Sequence, residues 1–155
     1  MKLADTELVT DAVLTASRAL VAVAARSLAA VDDDVTLSQY RALVVLGSRG
    51  PQTVGQLADA VGVHPSTATR LCDRLVARKL VTRTQVEGNR RETQIALSKK
   101  GRSIVDTVTT ARRHEIAAIV ARIPDSLRQP TVTALAAFAE AAGEVPEQAW
   151  SLGWS

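Results

Sequence analysis

The sequence predicts a mainly α fold carrying one small β-hairpin, and three observations give that class. Two short amphipathic helical patterns follow each other closely between 53 and 79. Two β-branched segments, VTRTQ and TQIAL, come next with a Gly88-Asn89 pair between them. Longer alanine- and valine-rich runs flank this centre on both sides.

The first element is a helix over about Asp5 to Val31. Its end, ALVAVAARSLAAV over 19–31, is apolar on most of its circumference, so it must be buried on more than one side. That run contains Arg26 and is too short and too alanine-rich to span a bilayer, and MKLADTEL has neither the basic start nor the cleavage pattern of a signal peptide. A soluble, cytoplasmic protein with no membrane partner is expected.

A helix starts at Thr53, because Gln56 three residues on completes the spacing of a capping box, in which each side chain satisfies a free backbone N–H of the first turn. Val54, Leu57, Ala58 and Val61 form one apolar stripe, and Gly62 stands where a left-handed C-cap is wanted. The chain restarts at His64-Pro65-Ser66, where proline suits a first turn that has no use for its missing N–H. This second helix runs from about Pro65 to Lys79 and buries Ala68, Leu71, Cys72 and Leu75. Its other side offers Ser66, Thr67, Thr69, Arg70, Arg74 and Arg78, the hydroxyls and guanidinium groups that base edges and phosphates accept. The hairpin then places Arg90 and Arg91 at its tip, suited to a neighbouring minor groove.

Charge agrees with a nucleic-acid role. Residues 64–102 hold ten Lys/Arg against three acids, a local balance of +7, whereas 1–63 and 103–155 are each −2 within a chain of net +3. Positive charge is confined to the helix pair and hairpin.

After the hairpin, Ser98 is the N-cap of a long helix towards Arg122 that carries Ile104, Val108, Ile116, Ile119, Val120 and Ile123. A final helix carries Val132, Leu135, Phe138, Ala139 and Ala142. Pro130 places its regular part from about 129 or 130, with 124–128 as a turn or loose first turn. Trp150 and Trp154 lie in a tail over 144–155 that either docks on the helices or hangs free, and the size of the indole favours docking.

The residues from the second short helix through the basic hairpin to Leu97-Ser98-Lys99-Lys100-Gly101 resemble the multiple-antibiotic-resistance regulator (MarR) family of winged helix-turn-helix transcription factors. The length and the order of helices match the family plan throughout, although only the centre is specific. One departure stands out: the family wing usually has an aspartate just before its first arginine, and this chain has Glu87, Gly88 and Asn89. The resemblance implies a winged helix-turn-helix over 36–98, flanked by dimerisation helices at 5–31 and 98–143. It implies a bacterial homodimer, most simply a repressor, on double-stranded DNA with an inverted-repeat operator, since two-fold symmetry repeats the recognition helix about one DNA turn away. It also implies a small-molecule effector, a phenol or aromatic acid, between the dimer helices and the winged lobe. Arg18, Arg26, Tyr40 and Arg41 lie on segments able to line such a cleft, and equally able to be surface or inter-helix residues. A sequence-tolerant architectural DNA-binding protein and a winged-helix module for protein contacts are the alternatives.

No chemistry is written in the chain: two histidines and one cysteine show no triad or metal-ligand spacing, so no catalytic residue, metal or cofactor is expected. His64 reads as an N-cap or phosphate contact, and His114 as part of a solvated charged run. Cys72, on the inward stripe, reads as a small apolar side chain with an unreactive thiol. Nearby Arg70 and Arg74 leave a redox role as the other reading.

Overall fold

Four of the helix starts in this chain are set by side-chain caps, three of them hydroxyls. In the computed structural model, which describes residues 2–32 and 34–150 and leaves out the side chains of Lys2 and Arg90, helix α2 (Leu37–Arg49) begins at Thr36. Its Oγ1 accepts the Gln39 N–H at 3.2 Å while Gln39 Oε1 accepts the Thr36 N–H at 3.1 Å. The expected box at Thr53 is present in the same form, at 3.1 and 2.9 Å, and opens α3 (Val54–Val61). Gly62 closes α3 at φ 76°, a left-handed value that glycine takes without steric cost. His64 caps α4 (Pro65–Ala77), its Nδ1 accepting the Ser66 N–H at 3.2 Å.

A three-stranded antiparallel sheet follows, in the order β1-β3-β2: β1 (Gln52–Thr53), β2 (Val81–Val86) and β3 (Asn89–Leu97). The tip differs by one residue from the sequence reading. Val86 faces Asn89, so Glu87-Gly88 form the loop, with Gly88 at φ 84°. Pairing also jumps between Gln85↔Thr93 and Val86↔Asn89, leaving 90–92 with no counterpart on β2. A bulge of this kind bends the strand and re-aims its side chains.

The core is formed mainly from the winged lobe and the helix that leaves it. Leu43, Leu46, Leu57, Cys72, Leu75, Leu80, Ile95, Val105 and Val108 are fully buried, the last two from α5 (Lys99–Val120). Ser98 caps α5 as expected. Gly101 is required there, because a Cβ would stand 2.0 Å from the Leu80 carbonyl oxygen. Trp150 docks into the same core after a short 3-10 turn at Glu147–Ala149, whereas Trp154 lies outside the described residues.

The outer helices contrast with this core. In α1 (Lys2–Ala29), Val23, Ser27 and Leu28 are buried near the end, while Leu3, Leu8, Val9, Leu14, Leu20 and Val21 are exposed. Because α1 reaches back to Lys2, its length is no argument against a bilayer: Leu3–Ala29 contains an 18-residue window of mean hydropathy 1.6 and suffices by length and composition. Helix α6 (Asp125–Ala141) buries nothing and exposes Leu127, Val132, Leu135 and Phe138. It starts at Asp125, earlier than the sequence suggested, with Pro130 inside. Proline removes one bond to the Ser126 carbonyl, but both residues are exposed, so water can replace it.

Candidate nucleic-acid interface

The recognition surface follows from how α4 is turned. Ala68, Cys72 and Leu75 face the core, which leaves Ser66, Thr67, Thr69, Arg70 and Arg74 exposed on the outside of one helix. Ser66 Oγ lies 2.8 Å from His64 Nδ1, and Thr69 Oγ1 donates to the Pro65 carbonyl at 3.0 Å, so both hydroxyls are held in place with acceptor capacity left over. One carboxylate, Asp73, shares this exposed side. Arg83 on β2 pairs with it, which removes a charge that would repel phosphate. Sequence reading did not single out Arg83, and the only signal for it is an arginine ten residues after an aspartate across the helix-strand junction.

The wing is braced by Asn89. Its Oδ1 accepts the Arg91 N–H at 3.1 Å and its Nδ2 reaches Glu92 Oε2 at 3.5 Å. A side-chain-to-backbone turn thus stands where the usual family wing has an aspartate. Arg91 is exposed on the bulged segment, and the Arg90 side chain lies outside the described residues.

Arg78 behaves differently from Arg70 and Arg74. It is the C-cap of α4, and its Nη2 lies 3.0 and 2.8 Å from the two carboxylate oxygens of Asp32, in the connection between α1 and α2. The spacing that groups the three arginines in sequence does not keep them together in space.

The four candidate effector residues are also dispersed. Arg18 is exposed and reaches Thr15 on its own helix. Arg26 pairs with Glu115 of α5. Tyr40 is buried, and its hydroxyl has no hydrogen-bond partner among the described residues. Arg41 holds Glu144 through two hydrogen bonds at 3.2 and 2.5 Å, while Arg49 donates to the Gly143 carbonyl at 3.1 Å. That hydrogen bond from Arg41 keeps the Glu144 carboxyl below its usual range against the opposing effect of partial burial. Burial pushes the Cys72 thiol up, outweighing the downward pull of Arg83, so the thiolate needed for redox chemistry is disfavoured. Among the described residues no group of three or more His, Cys, Asp or Glu is placed to hold a metal.

A three-stranded wing beside a helix pair with a cationic, hydroxyl-rich outer face defines a winged helix-turn-helix protein. A MarR family model matches residues 33–92, from the α1–α2 connection to the wing. The chain belongs to the MarR family, whose members are transcriptional regulators and not enzymes. It is similar to RV1404 of Mycobacterium tuberculosis, at 46% identity over 92% of this chain and 97% of that one, with a TM-score of 0.85. A MarR family protein from Bacillus stearothermophilus shares the fold at 22% identity, over 93% of this chain and 99% of that one, with a TM-score of 0.80. A curated relative, the HTH-type transcriptional repressor NicR of Pseudomonas putida, is 30% identical over 84 residues, 54% of this chain and 53% of NicR. The matched stretch thus spans about half of that relative's length.

Proposed function

We propose that this chain is a cytoplasmic, dimeric, operator-specific repressor whose hold on double-stranded DNA is released by a small aromatic acid or phenol. One observation carries the DNA reading: Ser66, Thr67, Thr69, Arg70 and Arg74 lie together on the exposed side of α4, beside a wing that presents Arg91. Ser66, Thr67, Thr69 and Arg70 are assigned to base edges and nearby phosphates, Arg74 to phosphate, and Arg90 and Arg91 to the minor groove and its backbone. Arg78 is left out of this set because Asp32 engages its guanidinium.

The dimer reading is supported by apolar surface that the chain itself leaves open. Leu135 and Phe138 on α6 are more than half exposed, and so are Leu8, Val9 and Leu14 on α1. Exposed apolar side chains grouped on a helix in this way mark an interface or a membrane contact. A second copy is the occupant that also serves the DNA reading, since a two-fold pair sets two recognition helices ~34 Å apart for an inverted repeat.

The effector reading is supported by a groove of about 590 Å³ between α1 and α5, where Arg26, Ser27, His114 and Glu115 stand beside Ala30, Ala111 and Ala118. A ligand carboxylate there competes with Glu115 for Arg26, and the loosened α1–α5 contact alters the spacing of the recognition helices.

The test is fluorescence-anisotropy titration against duplex DNA from upstream of the chain's own gene and against a scrambled duplex, at two salt concentrations. A preference of roughly a thousandfold is expected. Equal, steeply salt-dependent binding would instead indicate an architectural protein, and no binding under any condition would indicate a protein-contact module. An operator affinity that stays constant across a panel of phenols and aromatic acids would count against the effector.

A further inference from the structure

We infer that Asp32 and Arg78 form a positioning pair that sets the tilt of the recognition helix against the outer helices, and that neither residue touches DNA; the inference rests on the DNA-binding reading above. Arg78 is the residue immediately after α4, and Asp32 stands three residues after α1 ends. The two lie 46 positions apart in sequence yet meet at 2.8 and 3.0 Å, both partly buried, at 28% and 19% exposure. Asp32 is oriented before it meets the arginine, because its Oδ1 also accepts the Asp34 N–H at 3.0 Å.

The same end of α4 is held from its other side by the start of α5. Lys100 Nζ donates to the Arg78 carbonyl at 3.3 Å, Ser98 Oγ donates to the Lys79 carbonyl at 2.6 Å, and Gly101 abuts the Leu80 carbonyl. Between these two supports Lys79 takes a left-handed φ of 60°, which lets the chain leave α4 sharply into β2. The C-terminal end of α4 is therefore fixed between the connection that leaves α1 and the helix that carries the chain on to α6.

A small change at this end is magnified at the other. Ser66 lies twelve residues before Arg78, or ~18 Å along the helix at 1.5 Å per residue, so a tilt of ~5° about the fixed end moves the base-reading end by ~1.6 Å. That displacement exceeds the tolerance of a hydrogen bond to a base edge, and a two-fold partner repeats it at the second half-site.

Asp32→Asn separates this role from a phosphate contact, because the two predict opposite signs. A phosphate-binding Arg78 would be freed by the loss of its carboxylate partner, and the operator would bind as tightly or more tightly. A positioning pair predicts that Asp32→Asn and Arg78→Gln each lose about tenfold in operator affinity, and that the double variant loses no more than either single. Neither single should alter binding to scrambled duplex or the slope of affinity against salt, whereas a lost phosphate contact lowers that slope by about 0.9. Thermal unfolding of each full-length variant, with Asp32→Glu as a charge-keeping control, shows whether the fold is intact. The pair is overturned by undiminished operator binding in Asp32→Asn, by a reduced slope in Arg78→Gln, by additive losses, or by equal loss on both duplexes. Failure of the wild-type chain to prefer its operator overturns the DNA-regulator reading itself, and the two failures are thus distinct.

Discussion

The winged lobe and the outer helices draw on the same aliphatic residues and reach opposite ends. In the lobe, Leu43, Leu46, Leu57, Leu75 and Leu80 are at most 1% exposed, and each helix start there has a side-chain cap. In α6, Leu135 and Phe138 stand at 55% and 52%, and Pro124 provides no side-chain cap hydrogen bond at the start. Hydrophobic side chains are buried only where packing geometry gives them a partner, so the same composition yields a finished core in one place and an open face in the other. The lobe is completed within one chain, whereas the outer helices keep apolar faces open, and on those faces the proposed dimer rests.

The largest effect expected from breaking this contrast is on assembly. Replacing both Leu135 and Phe138 with Glu removes apolar area from an α6 that buries no residue within its own chain. Sedimentation should show the dimer mass falling to that of a monomer while the circular dichroism of the lobe persists. Operator affinity should fall by about a hundredfold or more as the second half-site is lost. A variant that stays dimeric, or that unfolds outright, would erase the distinction between the two regions.

A smaller effect is expected at the join between them. Gly101→Ala gains about 1 kcal/mol of helix propensity but sets a Cβ 2.0 Å from a backbone oxygen that cannot swing away. The clash should win by about 2 kcal/mol, seen as a fall in Tm of roughly 4–8 °C. An unchanged or raised Tm would mean that α5 moves freely against the lobe.

The smallest effect lies at the Arg41–Glu144 latch, which ties the end of the α6 segment to α2. Arg41 lowers the folded-state pKa of Glu144, so its stabilisation is complete above the unfolded carboxylate value of about 4.3 and is lost as pH falls through the lower folded value. Both partners are more than a third exposed, so solvent screens the pair to well under about 1 kcal/mol. Glu144→Gln should lower Tm by a degree or two at neutral pH, and its difference from wild type should vanish in acid. A difference that grows on acidification would rule out this pair as the cause.

What was legible in the sequence was local. Thr53 with Gln56, Gly62, His64-Pro65 and Ser98 each act within four residues, and each marks the helix end it predicts. The same Thr-to-Gln spacing at Thr36 and Gln39 was there to be read for α2. The start of α6 was misplaced because the rule against interior proline assumes that the orphaned carbonyl is shielded from water. The wing tip was displaced by one residue because a bulge at 90–92 leaves no mark in composition. The ion pairs Asp32–Arg78, Asp73–Arg83 and Arg41–Glu144 join residues 46, 10 and 103 positions apart, beyond any local pattern. Charge alone could not tell Arg78, turned to Asp32, from Arg74, turned to solvent.

The contact between Arg26 and Glu115 also sets a schedule for biosynthesis. The two residues are 89 positions apart, so at ~5–20 residues per second α1 leaves the ribosome roughly 5–20 s before its docking site on α5 has been made. Throughout that interval the end of α1, where Val23 and Leu28 become buried, lacks its contacts with α5, and the apolar front half of α1 stays exposed. For the proposed dimer, maturation ends in a concentration-dependent step, and the nascent N-terminal helix is where a chaperone would act.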